Sequence, residues 1–117
     1  MEYLFKMKVF QKEIVLIPYP FSNLEEKKVR PAIVISNNTF NKKSEDCLLA
    51  PLTSIIKDEP YSVLIDQKDL DSGKLIKISR IRLDKLFVIE KDKVVFKIGI
   101  LSEQTFNKVK KEFYTII

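Results

Sequence analysis

The sequence predicts a mainly β fold: a small, strongly bent sheet or barrel closed by one C-terminal α-helix. Three observations predict it. The apolar runs are short and lie between turn signals. The hydrophobic period becomes helical only near the end of the chain. The chain has 117 residues, enough for one compact domain and too few for two, so 1–117 reads as a single domain.

Ile14-Val15-Leu16-Ile17 is continuous and β-branched, which reads as a strand buried on both faces. Pro18 and Pro20 close it, since neither can donate to a ladder. Phe21 to Val29 is polar and charged, a surface loop. Pro31 to Ile35 is a second strand, and Ser36 to Glu45, with Asn37, Asn38 and Asn41, a polar loop. Cys47 to Thr53 is a third strand, in which Pro51 calls for a bulge or an edge. Tyr61 to Ile65 follows, then a turn region over Asp66 to Gly73. Leu75 to Leu83 and Phe87 to Ile89 continue the β pattern, and Lys91-Asp92-Lys93 turns the chain into Val94 to Ile98. Ser102 is suited to N-cap a helix with Glu103 in its first turn, where the helix dipole favours an anion. Phe106, Val109 and Phe113 recur on one face of that helix. SH3-like and OB-like barrels both fit this succession.

Composition narrows the chemistry. No apolar run approaches the roughly 20 residues of a membrane span. Met1 to Lys8 is not a signal peptide, so a cytoplasmic location is expected. The formal net charge of +5 permits a polyanionic partner without requiring one. There is no histidine and one cysteine, Cys47, in an apolar run. A histidine-dependent nucleophile is excluded, no metal or other cofactor is expected, and Cys47 reads as a buried thiol. The only arginines are Arg30, Arg80 and Arg82, in a chain that otherwise uses lysine. Arginine grips phosphate bidentately, whereas lysine acts as a point charge.

Glu13-Ile14-Val15-Leu16-Ile17-Pro18-Tyr19-Pro20-Phe21 is followed by a charged loop and by Arg30-Pro31-Ala32-Ile33-Val34-Ile35-Ser36-Asn37. Ala50-Pro51-Leu52-Thr53-Ser54, Ser79-Arg80-Ile81-Arg82-Leu83-Asp84 and Lys97-Ile98-Gly99-Ile100-Leu101 come next. From about Lys12 onward this succession resembles the PemK/MazF toxins of type II toxin–antitoxin systems; 1–11 is an extension. The resemblance implies an SH3-like barrel and a homodimer. It implies a metal-independent endoribonuclease that cuts single-stranded RNA to a 2′,3′-cyclic phosphate and a 5′-hydroxyl. It also implies a cognate antitoxin, and operator DNA as a possible partner of the toxin–antitoxin complex. Lys12-Glu13 departs from the family's usual Gly-Asp or Gly-Glu, and the side chain of Lys12 costs glycine's backbone freedom.

By the same resemblance Arg30 is the arginine of the Arg-Pro motif, and Thr53 is the hydroxyl that ends the third strand. Arg82 and Asp84 form an Arg-x-Asp pattern. Arg30 would stabilise the phosphorane, Thr53 would donate to phosphate or else cap local backbone, and Asp84 is a candidate base or a partner of Arg82. Ser54, Arg80, Phe21 and Tyr19 are candidates for RNA contact, with Phe40 a further stacking candidate: the aromatics of the loop stack on bases or else pin it to the barrel, and Arg80 holds phosphate or is simply a neighbour. No side chain is an obvious general acid, because arginine holds its proton too tightly. Two other readings stay open: a nucleic-acid-binding barrel without catalysis, and a gyrase-targeting toxin of the same fold.

Overall fold

The computed structural model describes residues 7–18 and 28–117. Its strands are β1 (Glu13–Pro18), β2 (Val29–Val34), β3 (Asp46–Thr53), β4 (Ser62–Ile65), β5 (Leu70–Gly73), β6 (Ser79–Arg82), β7 (Phe87–Glu90) and β8 (Phe96–Leu101). Helices α1 (Asn38–Lys43) and α2 (Glu103–Tyr114) accompany them. Every strand pairing is antiparallel, in the order β4-β6-β3-β2-β1-β8-β5, with β7 also on β3. The expected mainly β fold with a C-terminal helix is therefore present, as a bent half-barrel.

The bend comes from β3. One flank of this strand pairs with β7 from Asp46 to Leu49, then with β6 at Leu52 and Thr53. Ala50 and Pro51 fall in the interval where the partner changes. A proline lacks a donor, and this is a place where a missing donor is tolerated.

The continuous apolar runs are explained by two cores, one on each side of the sheet. Ile14, Ile33, Ala50, Leu52 and Ile81 face one, and α2 covers it with Phe106 and Val109. Val15, Ile17, Ala32, Val34, Cys47 and Leu49 face the other, joined by Val94 and by Val9 from the N-terminal segment. A helix as short as α2 is marginal alone. Burial of Phe106 (2% exposed) and Val109 (1%) adds ~1.5–3 kcal/mol each. The Ser102 side chain caps its start by accepting the Thr105 N–H, as expected. Cys47 is buried, and burial pushes its thiol up to about 11, consistent with an inert core side chain.

Several boundaries differ from the sequence reading. The expected loop from Ser36 to Glu45 contains α1, N-capped by the Asn37 side chain. Asn41 is buried there: its amide donates to the Ser36 carbonyl at 2.8 Å and its carbonyl oxygen accepts from the Ser36 hydroxyl. The turn region before Gly73 holds a short 3-10 helix (Gln67–Asp69) and β5. Of Leu75 to Leu83 only Ser79–Arg82 is strand, and Ile76 and Ile78 stay exposed. Lys91–Lys93 is a 3-10 turn, and β8 begins at Phe96 rather than Val94.

Lys12 adopts φ 80°, the left-handed region that glycine occupies without penalty. It holds that conformation between two hydrogen bonds, donating its N–H to Val34 O (3.0 Å) and accepting from Leu101 N (2.8 Å). Its ammonium pairs with Glu103 at 2.6 Å, an exposed pair of little worth. Lys12→Gly is therefore expected to raise stability by roughly 0.5–1 kcal/mol, read as an increased urea midpoint with unchanged slope. An unchanged or lower midpoint would show that the side chain's contacts outweigh the strain.

Candidate active site

Strand register brings the motif residues onto one side of the sheet. Arg30 lies opposite Ile17 on β1. The β2–β3 ladder runs Val34↔Leu49, Ile33↔Ala50, Ala32↔Pro51. The ladder ends at Ala32↔Pro51; carried two residues further, its register points Arg30 toward Thr53. Thr53 in turn is opposite Arg80 on β6, and Arg80 is opposite Leu64 on β4. Side chains alternate along a strand, so Arg30, Thr53, Arg80 and Arg82 all project from the side that carries the second core, just past its end.

Thr53 is half-buried, and its Oγ1 accepts the Ile55 N–H at 3.1 Å. That bond fixes the hydroxyl and leaves its own proton to donate elsewhere. Arg30 is exposed at the outer end of β2. Ser54 is exposed at the start of the β3–β4 connection.

Arg80 differs from the other two arginines. It is only 9% exposed. Its guanidinium donates to Ser62 Oγ (3.2 Å) and to the Ile56 carbonyl (3.3 Å), with the exposed Asp58 carboxylate at 3.8 Å. Its Nε is buried and has no partner among the described residues, an arrangement that costs about 1–3 kcal/mol. The sequence reading had Arg80 contact RNA; the structure turns its guanidinium inward, onto the β3–β4 connection. Neither hydrogen-bond partner carries a sequence signal: one is a main-chain carbonyl, the other an ordinary serine.

Arg82 and Asp84 form a bidentate pair, Nε to Oδ1 at 2.9 Å and a terminal nitrogen to Oδ2 at 2.7 Å. Hydrogen bonding to Arg82 holds the Asp84 carboxyl below its ordinary range, and the same bond raises Arg82. A carboxylate held in that way is a weak base, so Asp84 is placed to orient Arg82. The pair is partly exposed, with side-chain exposures of 22% and 33%, so phosphate can compete for the guanidinium.

Tyr19 and Phe21 lie outside the described residues. Phe40 is on α1, which precedes the Asp46 end of β3, whereas Thr53 lies at the other end of that strand. Phe40 is therefore not part of this cluster. Among the described residues no three Cys, Asp or Glu side chains gather as a metal site. No helix among them is long and apolar enough to cross a membrane.

Residues 10–117 match a family model described as the PemK-like, MazF-like toxin of type II toxin-antitoxin systems. An endoribonuclease MazF of Staphylococcus epidermidis is 33% identical over 92 residues, 77% of this chain and 74% of that protein. Among solved structures, a mycobacterial endoribonuclease in complex with its cognate antitoxin superposes with a TM-score of 0.75 at 19% identity, covering 92% of each chain. A MazE–MazF complex from Deinococcus radiodurans gives 0.75 at 13% identity, covering 94% of this chain and 96% of that one.

Proposed function

This chain belongs to the PemK-like, MazF-like toxins of type II toxin–antitoxin systems, and from that premise we propose that it is an endoribonuclease acting on single-stranded RNA. The observation that carries the reading is Thr53 opposite Arg80 across β3 and β6, with Arg82 on the same side and Arg30 directed toward Thr53 by the β2–β3 register. Single strands are the substrate because side chains cannot read the deep groove of an A-form duplex.

The 2′-hydroxyl gives its proton to water and attacks the adjacent phosphorus, and the 5′-oxygen leaves, taking a proton from water. The products are a 2′,3′-cyclic phosphate and a 5′-hydroxyl. Attack is intramolecular, so the protein's work is to fix the sugar–phosphate and to stabilise charge. Arg30 binds the non-bridging oxygens as the phosphorane forms. The Thr53 hydroxyl donates to the same phosphate. Arg82 exchanges its Asp84 partner for a phosphate oxygen and supplies a second cation.

The complexes among the structural relatives support an antitoxin as partner. Self-association is supported by exposed apolar side chains: Phe96 stands opposite Leu16 on β1, next to Pro31 on β2, with Val29 and Val95 also exposed. A homodimer in the cytoplasm, joined by antitoxin and then able to engage operator DNA, completes the reading.

The test is incubation of the pure protein with a long single-stranded RNA in excess EDTA. Cleavage is expected to persist, and the products to carry cyclic phosphate ends. RNA that stays whole but binds with steep salt dependence would replace this reading with a non-catalytic binding barrel. Indifference to RNA with inhibition of gyrase would replace it with a gyrase-directed toxin.

A further inference from the structure

The β3–β4 connection, Ser54 to Tyr61, begins one residue after the Thr53 hydroxyl and is held at both ends. At its start, the Ile55 N–H donates to Thr53 Oγ1. The neighbouring Ile56 carbonyl accepts from Arg80, and Arg80 reaches across to Ser62, the first residue of β4. At its end, Tyr61 sits at φ 59°, a conformation that side chains rarely adopt, and its carbonyl accepts the Leu83 N–H at 2.9 Å. Ile55 and Ile56 are both exposed, 70% and 49%, so apolar burial does not hold the segment down. Arg80 does so, from beneath.

Resting on the reading of the site as an RNA-cleaving centre, we propose that Arg80 is a positioning residue that touches no RNA and orients the Thr53 hydroxyl through the Ile55–Ile56 backbone. The path is short and physical. The guanidinium fork fixes the Ile56 carbonyl. That sets the preceding residue, whose N–H occupies an acceptor site of Thr53 Oγ1. The remaining hydroxyl proton then points along one direction, toward phosphate held by Arg30. Lysine cannot replace this fork, because one ammonium on a flexible stem does not hold a carbonyl and a serine hydroxyl in fixed geometry.

The experiment compares wild type with Arg80→Lys and Arg80→Met. It measures cleavage kinetics, the salt dependence of binding to the all-2′-deoxy analogue of a cleaved RNA, and amide hydrogen exchange. A small misplacement of a reacting group costs about a hundredfold in rate, so kcat is expected to fall by about that factor in both variants. KM is expected to stay near the wild-type value. The slope of log affinity against log salt is expected to be unchanged, and exchange to accelerate over 54–61 but not in β1 or β2. A slope reduced by about 0.7, the loss of one phosphate contact on a single strand, would overturn the proposal by placing Arg80 on RNA. Unchanged kcat would overturn it equally. Should Arg80→Met fail to fold, Arg80→Lys carries the same readouts. A wild-type protein that cleaves no RNA sinks the functional reading instead, and the exchange data then decide separately whether Arg80 holds the segment.

Discussion

Arg30→Ala is expected to lower kcat for RNA cleavage by about a hundredfold to a thousandfold, the loss typical of removing one preorganised donor from a developing oxyanion, ~3–4 kcal/mol of barrier. The fold is expected to survive, because Arg30 is exposed at the end of β2 and the neighbouring core contacts come from Ala32 to Val34. Substitutions at such surface positions usually change stability within about 0.5 kcal/mol. Arg30→Lys keeps the charge and loses the planar fork, so an intermediate rate is expected. The measurement is single-turnover cleavage of a single-stranded RNA, with urea unfolding as control. An Arg30→Ala protein that cleaves at the wild-type rate would remove the charge-stabilising role and the mechanism built on it.

The largest expected effect on stability lies on the other side of the molecule. The sequence has two glycines, Gly73 and Gly99, and they are cross-strand partners on β5 and β8. A Cβ at Gly73 would sit 2.2 Å from the Ile98 carbonyl oxygen and 2.3 Å from the Gly99 Cα, both main-chain atoms, and the residue has φ 87°. Nothing flexible can move aside, so β5 would have to part from β8. Gly73→Ala is expected to destabilise by roughly 2–6 kcal/mol, combining a strained φ with overpacking. That is a large share of the ~5–15 kcal/mol that holds a domain folded. A Cβ at Gly99 meets the movable Leu70 Cδ2 at 2.8 Å and the Ser72 carbonyl oxygen at 2.9 Å, without a positive φ, so Gly99→Ala is expected to cost less. Equal urea midpoints for Gly73→Ala and wild type would contradict the packing described.

Much of this architecture was legible because burial on two faces leaves an unmistakable trace. Ile14 to Ile17 is apolar without alternation, and in the fold Ile14 serves one core while Val15 and Ile17 serve the other. Ser102 with its following Glu103 announced α2 for the same reason it caps it: a hydroxyl takes an orphan N–H. Helix α1 was hidden among asparagines that suggest a loop, although Asn37 is an ordinary N-cap and Lys42 and Lys43 suit a C-terminus. The apolar stretch around Ile76 and Ile78 read as strand because a sequence does not separate exposed apolar side chains from buried ones. In the site, the types of residue were legible and their division of labour was not. Arg80 and Arg82 are two residues apart on one strand, yet one turns under a connection and the other outward to Asp84. That difference is set by where Ser54 to Tyr61 crosses, a tertiary fact.

The family's similarity begins at residue 10, but the second core does not respect that boundary. Val9 is 5% exposed within it, and Met7 packs alongside. A recombinant protein started at residue 10, where the family match begins, would leave an oily hollow in the second core beside Val15 and Val34. Trimming the chain to the stretch matched by the family, a routine economy in expression work, would here trade solubility for brevity.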